Sequence, residues 1–309
     1  MAFSASSAAM EGFRIIRREP GTVAVWAGVQ LVISVAVTAL LLPVMGSAMA
    51  GMGVVPGAAP GASAAQLAAF SKLFWLYLLL TPFYLAVISI YSGAIYRAVL
   101  RPADKGFARL RLGGDELRLA GLWVLMGLFF FAVFLAVGMV VGAGGVAISL
   151  ASKSSPGAWA LGLVVIYLLL FGVCIWLGVR LSLAAPMTFD QKRIRLFSSW
   201  KLTKGRFWPL FGCYLLVWVF LFIIVLLDVV VSGAVLIGAS GGSFSRAASG
   251  LFRPDYTSYA NLFTPAYAIR LVLGAAFGAI IWTLTVSAPA EAYKTIVGAT
   301  PEDQAETFA

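Results

Sequence analysis

Long uninterrupted apolar stretches alternate with short charged segments along the whole chain. Six stretches reach the roughly 20 residues that a helix needs to cross a bilayer. They are continuously apolar and do not alternate with period two, which favours helices over the strands of a membrane barrel. The sequence therefore predicts an all-α polytopic membrane bundle, a single domain over 1–309. Its predicted spans are approximately 22–46, 73–96, 119–148, 157–181, 208–238 and 268–290.

Three further segments lie outside these spans. Residues 49–66 are rich in Gly, Ala and Pro, which indicates a flexible outer loop. Residues 240–265 contain many aromatic side chains, which predicts a second outer loop packed on the bundle or on the membrane surface. Residues 291–309 are predicted to form a cytoplasmic tail.

Lysine and arginine lie mainly on one side of the predicted bundle. Of the 22 such residues, the side that holds both termini lacks only Lys72, Lys153, Arg246, Arg253 and Arg270. Basic residues remain on the cytoplasmic side during insertion, so we predict that both termini are cytoplasmic. The net charge of +10 then faces anionic inner-leaflet lipids, and no nucleic-acid partner is needed to explain it.

A basic stretch with aromatic or aliphatic residues precedes each outgoing span, at 11–20, 107–116 and 197–209. The first and third share an aromatic residue, two bases three residues apart and a proline, at Phe13, Arg14, Arg17 and Pro20 and at Trp200, Lys201, Lys204 and Pro209. Helices with basic and aromatic faces lie in the membrane plane, so we predict cytoplasmic interfacial amphipathic helices. Two alternatives stay open: three repeats of an interfacial helix plus a hairpin, or the ordinary basic loops of a multispan protein.

Composition excludes a soluble enzyme. Hydrophobic residues make up 61% of the chain and charged residues 11%, against about 25% charged in soluble domains. Histidine is absent, which removes the commonest general base and metal ligand. Cys174 and Cys213 do not have metal-ligand spacing. We therefore expect no catalytic residue, no metal and no cofactor, and we predict that the protein is not an enzyme.

Asp228 is the main candidate for an ion or substrate site, because it falls near the middle of the membrane in the fifth span. A charge there costs about 2.5–3.5 kcal/mol and usually faces the bundle interior beside a partner. Helical spacing predicts one inward face made of Tyr214, Trp218, Leu221, Val225, Asp228 and Ser232. Arg270, at the outer end of the sixth span, is the candidate partner. The alternative is a structural ion pair or a protonated, hydrogen-bonded aspartic acid.

Side chains with hydroxyl groups occur along the whole second span. Tyr84 and Tyr91 fall on one face of it, together with Tyr77 and Thr81. This face is a candidate lining for a polar cavity that binds a substrate or ion. The alternative is that Tyr77 and Tyr96, near the two ends of this span, are ordinary aromatic anchors at the membrane interface.

Five residues near the fourth and fifth spans are candidate contacts for lipid headgroups: Arg180, Trp200, Lys201, Lys204 and Arg206. Arg180 lies at the inner end of the fourth span, where an arginine contacts a phosphate or extends its side chain to the interface.

The same region carries a family resemblance. The segments Arg180-Leu-Ser-Leu-Ala-Ala-Pro186 and Ser199-Trp-Lys-Leu-Thr-Lys-Gly-Arg-Phe-Trp208 resemble a pattern in uncharacterised bacterial six-helix membrane proteins. Those proteins are similar to the membrane domain of some glycerophosphodiester phosphodiesterases. The resemblance covers mainly residues 160–240. It implies a fold and a location in the bacterial cytoplasmic membrane, and not that activity, because histidine and a carboxylate-rich metal site are missing.

The favoured interpretation is a non-enzymatic integral membrane protein that organises membrane lipids or a protein partner, with a homo-oligomer left open. The alternative is a small transporter or channel that uses Asp228.

Overall fold

The computed structural model describes residues 3–51, 64–104, 106–151, 156–239, 241–244, 260 and 264–298. Most of both predicted outer loops, and the tail beyond Gly298, lie outside these residues. Within them the chain is helical, with no β-strand. The helices are α1 (Ala5–Ala9), α2 (Glu11–Arg18), α3 (Pro20–Gly51), α4 (Ala64–Leu100), a 3-10 turn (Phe107–Arg109), α5 (Gly114–Ala151), α6 (Pro156–Leu181), α7 (Ala184–Gln191), α8 (Ser199–Leu202), α9 (Phe207–Ala239) and α10 (Pro265–Val297).

Six helices of the described chain, α3, α4, α5, α6, α9 and α10, are long and apolar enough to cross a membrane. They correspond one to one with the six stretches read from the sequence, which confirms the all-α polytopic bundle. The main difference lies in α10. It continues to Val297, through the first part of the segment predicted as a tail.

Helices α3, α5 and α9 begin at the same end of the bundle, and helices α4, α6 and α10 finish there. We call this end the charged end. The main core lies there and includes Trp26, Ile95, Leu119 and Phe189. Helix α10 is the central element, since it packs against α2, α3, α4 and α9. Small residues along it, Ala279, Ala288, Ala290 and Ala292, let the neighbouring backbones approach closely.

We call the half of the six helices that lies away from the charged end the far half. Most large apolar side chains there are exposed. Examples are Leu79 of α4, Met139 of α5, Leu169 of α6 and Phe222 of α9. Lipid tails solvate such side chains as well as a protein core does, which fits helices that meet hydrocarbon. The charged end is therefore the packed part of the molecule, and clefts separate the helices beyond it.

The first predicted interfacial segment is helical, but it packs against the bundle. Glu11, Gly12 and Ile15 of α2 are buried. A Cβ atom on Gly12 would lie 2.8 Å from the Cα of Leu284 in α10, so only glycine fits there. The N-terminal segment is therefore held in place by packing against α10, and not by its basic residues alone.

The other two predicted interfacial helices differ from the first. Before α5 the prediction of a helix is wrong, because the chain forms only a 3-10 turn in which Ala108 and Arg109 have positive φ angles of 43° and 59°. The buried Arg109 side chain, described below, holds this turn. Before α9 the regular helix is a single turn, α8. The three segments thus have three different structures.

Candidate functional site

Two basic regions lie at the charged end, and they differ in how far acidic residues balance their positive charge. We call residues 97–118, which join α4 to α5, the closed basic segment. We call residues 192–206, which join α7 to α9, the open basic segment. The first contains Asp104, Asp115 and Glu116, whereas the second contains no acidic residue.

Arg109 organises the closed basic segment. Its side chain is buried, and its Nε and Nη2 atoms donate to the two carboxylate oxygens of Glu19 at 3.1 and 2.7 Å. The same guanidinium donates to main-chain carbonyls between Arg97 and Asp104, the shortest bond being 2.8 Å to Asp104. A planar group with five donors suits such a turn, because each donor finds an acceptor inside the protein.

Arg97 and Glu116 form a second, fully buried ion pair. Arg97 also donates through Nη1 to the Arg109 carbonyl at 2.7 Å, which links the two arginines. Space beside the pair is tight, since a Cβ atom on Gly93 would lie 2.7 Å from Glu116 Oε1. The Phe189 ring of α7 covers Arg97, with 5.6 Å from its centroid to the guanidinium carbon. The pair therefore ties α4, α5 and α7 together.

The remaining arginines of the closed segment are also paired. Arg111 contacts Asp104 at 2.6 Å, and Asp115 contacts Arg118 at 2.7 Å and Arg101 at 3.4 Å. Every described arginine of this segment thus has a carboxylate partner. Most of the positive charge of these arginines is therefore balanced within the protein.

The open basic segment has no such partners. Its six basic side chains are exposed, and none takes part in an ion pair among the described residues; they are Lys192, Arg193, Arg195, Lys201, Lys204 and Arg206. The nearest acid along the chain, Asp190, accepts a hydrogen bond from the Tyr293 hydroxyl at 2.9 Å. This segment therefore presents an uncompensated positive surface.

Aromatic contacts hold the open segment against the bundle. Trp200 packs edge-on against Trp176 of α6, with 5.2 Å between ring centroids, and Phe197 packs against Phe129 of α5 at 5.7 Å. Trp208, in the first turn of α9, is 75% exposed. Lysine and arginine beside tryptophan rings are typical of the boundary between hydrocarbon and headgroups.

Arg180 differs from the three other basic residues among the candidate headgroup contacts. Its guanidinium lies over the Trp176 ring at 5.6 Å and donates to the Thr203 hydroxyl at 3.5 Å. Its own carbonyl accepts from Ser199 at 2.7 Å. The side chain is half-buried, so Arg180 connects α6 to α8, while Lys201, Lys204 and Arg206 extend outward.

The structure separates the two candidate tyrosines. Tyr91 is buried in the main core, and its hydroxyl donates to the Trp26 carbonyl at 2.7 Å. The prediction that Tyr91 lines a cavity with Tyr84 is therefore wrong. Its hydroxyl lies in the core, where it donates to a residue 65 positions away in the sequence. Tyr84 lies in the far half and borders a cleft described below.

Asp228 and Arg270 are not paired. Asp228 accepts from the Ser232 hydroxyl at 3.0 Å on its own helix, and no ion pair of the described residues joins it to Arg270. The predicted inward face of α9 is also wrong in part, since Trp218 and Val225 are exposed. An apolar helix gives no polar face to set its rotation, and α9 instead buries Cys213, Val217, Ile224, Ser232 and Leu236.

Arg270 and Tyr84 meet in a polar cleft of about 390 Å³ between α3, α4 and α10. Gly274 and Ala275 form part of its wall. The other polar groups in the wall are Gln30, Ser34, Thr38 and Tyr267. Only Arg270 among them carries a charge. Thus two of the four residues proposed as a site lie together, while Tyr91 and Asp228 lie elsewhere.

Sequence reasoning missed the ion pairs of the closed segment. The available signal was the three acids of that segment, with Glu19 just before the first span, in a chain that has only 12 acidic residues. Acids that rare, placed among arginines, indicate internal pairing. Comparison with protein-family models, with curated proteins and with solved structures finds no match for this chain.

Proposed function

We propose that this integral membrane protein is not an enzyme and that it organises anionic lipids through the open basic segment. The observation that carries the proposal is a set of six exposed basic side chains that have no carboxylate partner among the described residues and lie beside tryptophans typical of a membrane interface. In this arrangement the charged end faces the cytoplasm, as the distribution of lysine and arginine predicts.

Each basic residue near an anionic membrane surface contributes about 1 kcal/mol of binding. That contribution needs a charge that is not already neutralised. Lys201, Lys204 and Arg206 meet this condition, whereas Arg97 and Arg109 do not, because Glu116 and Glu19 occupy their guanidinium groups. The closed segment would serve as the rigid support that keeps the open segment at the membrane surface.

Lipid titration followed by native mass spectrometry tests the proposal. The wild type should bind phosphatidylglycerol in preference to phosphatidylcholine. Lys201→Gln with Lys204→Gln should weaken phosphatidylglycerol binding roughly 30-fold, which corresponds to two contributions of about 1 kcal/mol.

The control is Lys72→Gln, which removes a positive charge at an exposed position outside both basic segments, at the opposite end of the bundle. This control should bind phosphatidylglycerol as the wild type does. Equal weakening in both variants would mean that net charge alone attracts the lipid, and the open segment would lose its assigned role.

A small transporter that uses Asp228 is the second candidate. One observation favours it: a half-buried carboxylate in the far half whose bond to Ser232 leaves its second oxygen free for another ligand. Asp228→Asn should then abolish ion-coupled uptake into proteoliposomes while expression and thermal stability stay unchanged. Unchanged uptake would exclude this function.

A further inference from the structure

The polar cleft between α3, α4 and α10 lies at the opposite end of the bundle from both basic segments. Arg270 lies five residues after the start of α10 at Pro265, which is about 7.5 Å along the helix at 1.5 Å per residue. Its side chain is half-buried. Asp228 is the one acidic side chain among the described residues of the far half, and it does not pair with Arg270.

An arginine near a helix end that has no carboxylate partner among the described residues either extends to water or binds an anionic ligand. Arginine also binds oxyanions well, since its planar donors match two oxygens at once. The cleft adds further donors near this cation, namely the hydroxyls of Tyr84, Tyr267, Ser34 and Thr38 and the amide of Gln30. A group with three or more acceptor oxygens suits such a donor set.

The shape of α10 makes room for a ligand beside Arg270. Gly274 lies one turn after it, and a Cβ atom built there would meet nothing within 4 Å. Gly278 lies another turn along, where a Cβ atom would be 3.9 Å from the Gln30 side chain of α3. The helices are therefore in contact at Gly278 and apart at Gly274, which leaves the cleft open in front of the guanidinium.

We propose that this cleft binds a phosphate group, with Arg270 as the main ligand and with Tyr84 and Tyr267 as hydrogen-bond donors. The phosphate belongs either to an amphiphile whose chain lies along the exposed apolar faces of α4 and α10, or to a small free anion. Both sources require the same chemistry at Arg270. The site does not depend on the open basic segment, which lies at the other end of the helices.

Binding is measured on the purified full chain in a neutral detergent by isothermal titration calorimetry. The probes are dodecyl phosphate and inorganic phosphate, and dodecanol is the uncharged control. Arg270→Gln should weaken phosphate-probe binding at least 10-fold, whereas Arg270→Lys should retain part of it. Lys72→Gln removes an exposed far-half charge outside the cleft and should have no effect.

Gly274→Leu provides a test that leaves every charge in place. Its side chain fits into open space and fills the cleft, so it should weaken phosphate binding while the thermal unfolding temperature stays the same or rises. This variant also keeps the proposal testable if Arg270→Gln does not fold.

The probes distinguish the two sources of phosphate. Arg270-dependent binding of dodecyl phosphate alone identifies an amphiphile, and Arg270-dependent binding of both probes identifies a site for the phosphate group itself. Binding that is the same for the wild type and Gly274→Leu, or for dodecyl phosphate and dodecanol, overturns the proposal. Lys201→Gln with Lys204→Gln should leave this binding unchanged, so the headgroup proposal and the cleft proposal can fail separately.

Discussion

The closed and open basic segments look alike in composition and differ in what their charge does. Both lie at the charged end of the bundle, and each contains six basic residues. In the closed segment, every described arginine pairs with a carboxylate, and the pairs with Glu19 and Glu116 bring the starts of α3 and α5 against the end of α4. In the open segment the bases are exposed, and none pairs with a carboxylate of the part of the chain that the structure describes. The acids within reach of a basic loop therefore decide whether its charge forms ion pairs inside the protein or stays exposed at the surface.

The largest expected effect comes from breaking the buried pair of the closed segment. Arg97→Met leaves the Glu116 carboxylate buried without its cation, which typically costs about 3–5 kcal/mol of folding free energy. Denaturant unfolding in detergent should show this loss, together with a lower yield of folded protein.

A double variant checks the cause of that loss. Arg97→Met with Glu116→Leu removes both charges and should recover much of the stability, because apolar residues of similar volume often replace a buried ion pair at little cost. If the double variant is as unstable as Arg97→Met, the loss comes from packing and not from the uncompensated charge.

A somewhat smaller effect is expected at Arg109. Arg109→Met removes the two hydrogen bonds to Glu19 and those to the carbonyls of residues 97–104. Because Glu19 is partly exposed, water can replace some of the hydrogen bonds that its carboxylate loses. We therefore expect a loss of about 2–3 kcal/mol of folding free energy, the range of one strong hydrogen bond to a charged group.

Hydrogen exchange locates the Arg109 effect. Amides of residues 106–110 should exchange faster in Arg109→Met, while those in the far half of α9 keep their wild-type protection. Uniformly faster exchange along the whole chain would show that Arg109 supports the bundle generally and not the turn.

The sequence predicts the fold well because the spans depend on local hydropathy, and all six appear in the structure. It predicts the sites less well, because they depend on distant partners. Tyr91 bonds to Trp26 and Arg109 to Glu19, across 65 and 90 residues. The rotation of α9 was also beyond reach, since a helix that is apolar on all sides has no periodic signal to show its buried face. Of the four residues predicted to form an ion or substrate site, Tyr84 and Arg270 share a cleft, although neither was predicted to be the partner of the other.

Changing the open segment should leave stability almost unaltered. Lys201 and Lys204 are exposed and unpaired, so replacing both with glutamine should change the free energy of unfolding by less than about 0.5 kcal/mol. The same denaturant series measures it beside Arg97→Met. A loss above 1 kcal/mol would mean that these lysines stabilise the fold, and the contrast between the two segments would disappear.

The two segments should also differ in how their contribution to stability changes with pH. The hydrogen bond from Arg109 holds the pKa of Glu19 below its ordinary value of 4.5. An acid with a lowered pKa stabilises the fold fully above that ordinary value and loses the contribution as the pH falls through the folded-state pKa. Glu19→Gln should therefore be less stable than the wild type at neutral pH, and the two should converge below pH 4.5.

Lys201→Gln with Lys204→Gln should stay parallel to the wild type across this range, because the open segment contains no carboxylate. A constant gap between Glu19→Gln and the wild type at every pH would show that the Glu19–Arg109 contact does not depend on ionisation.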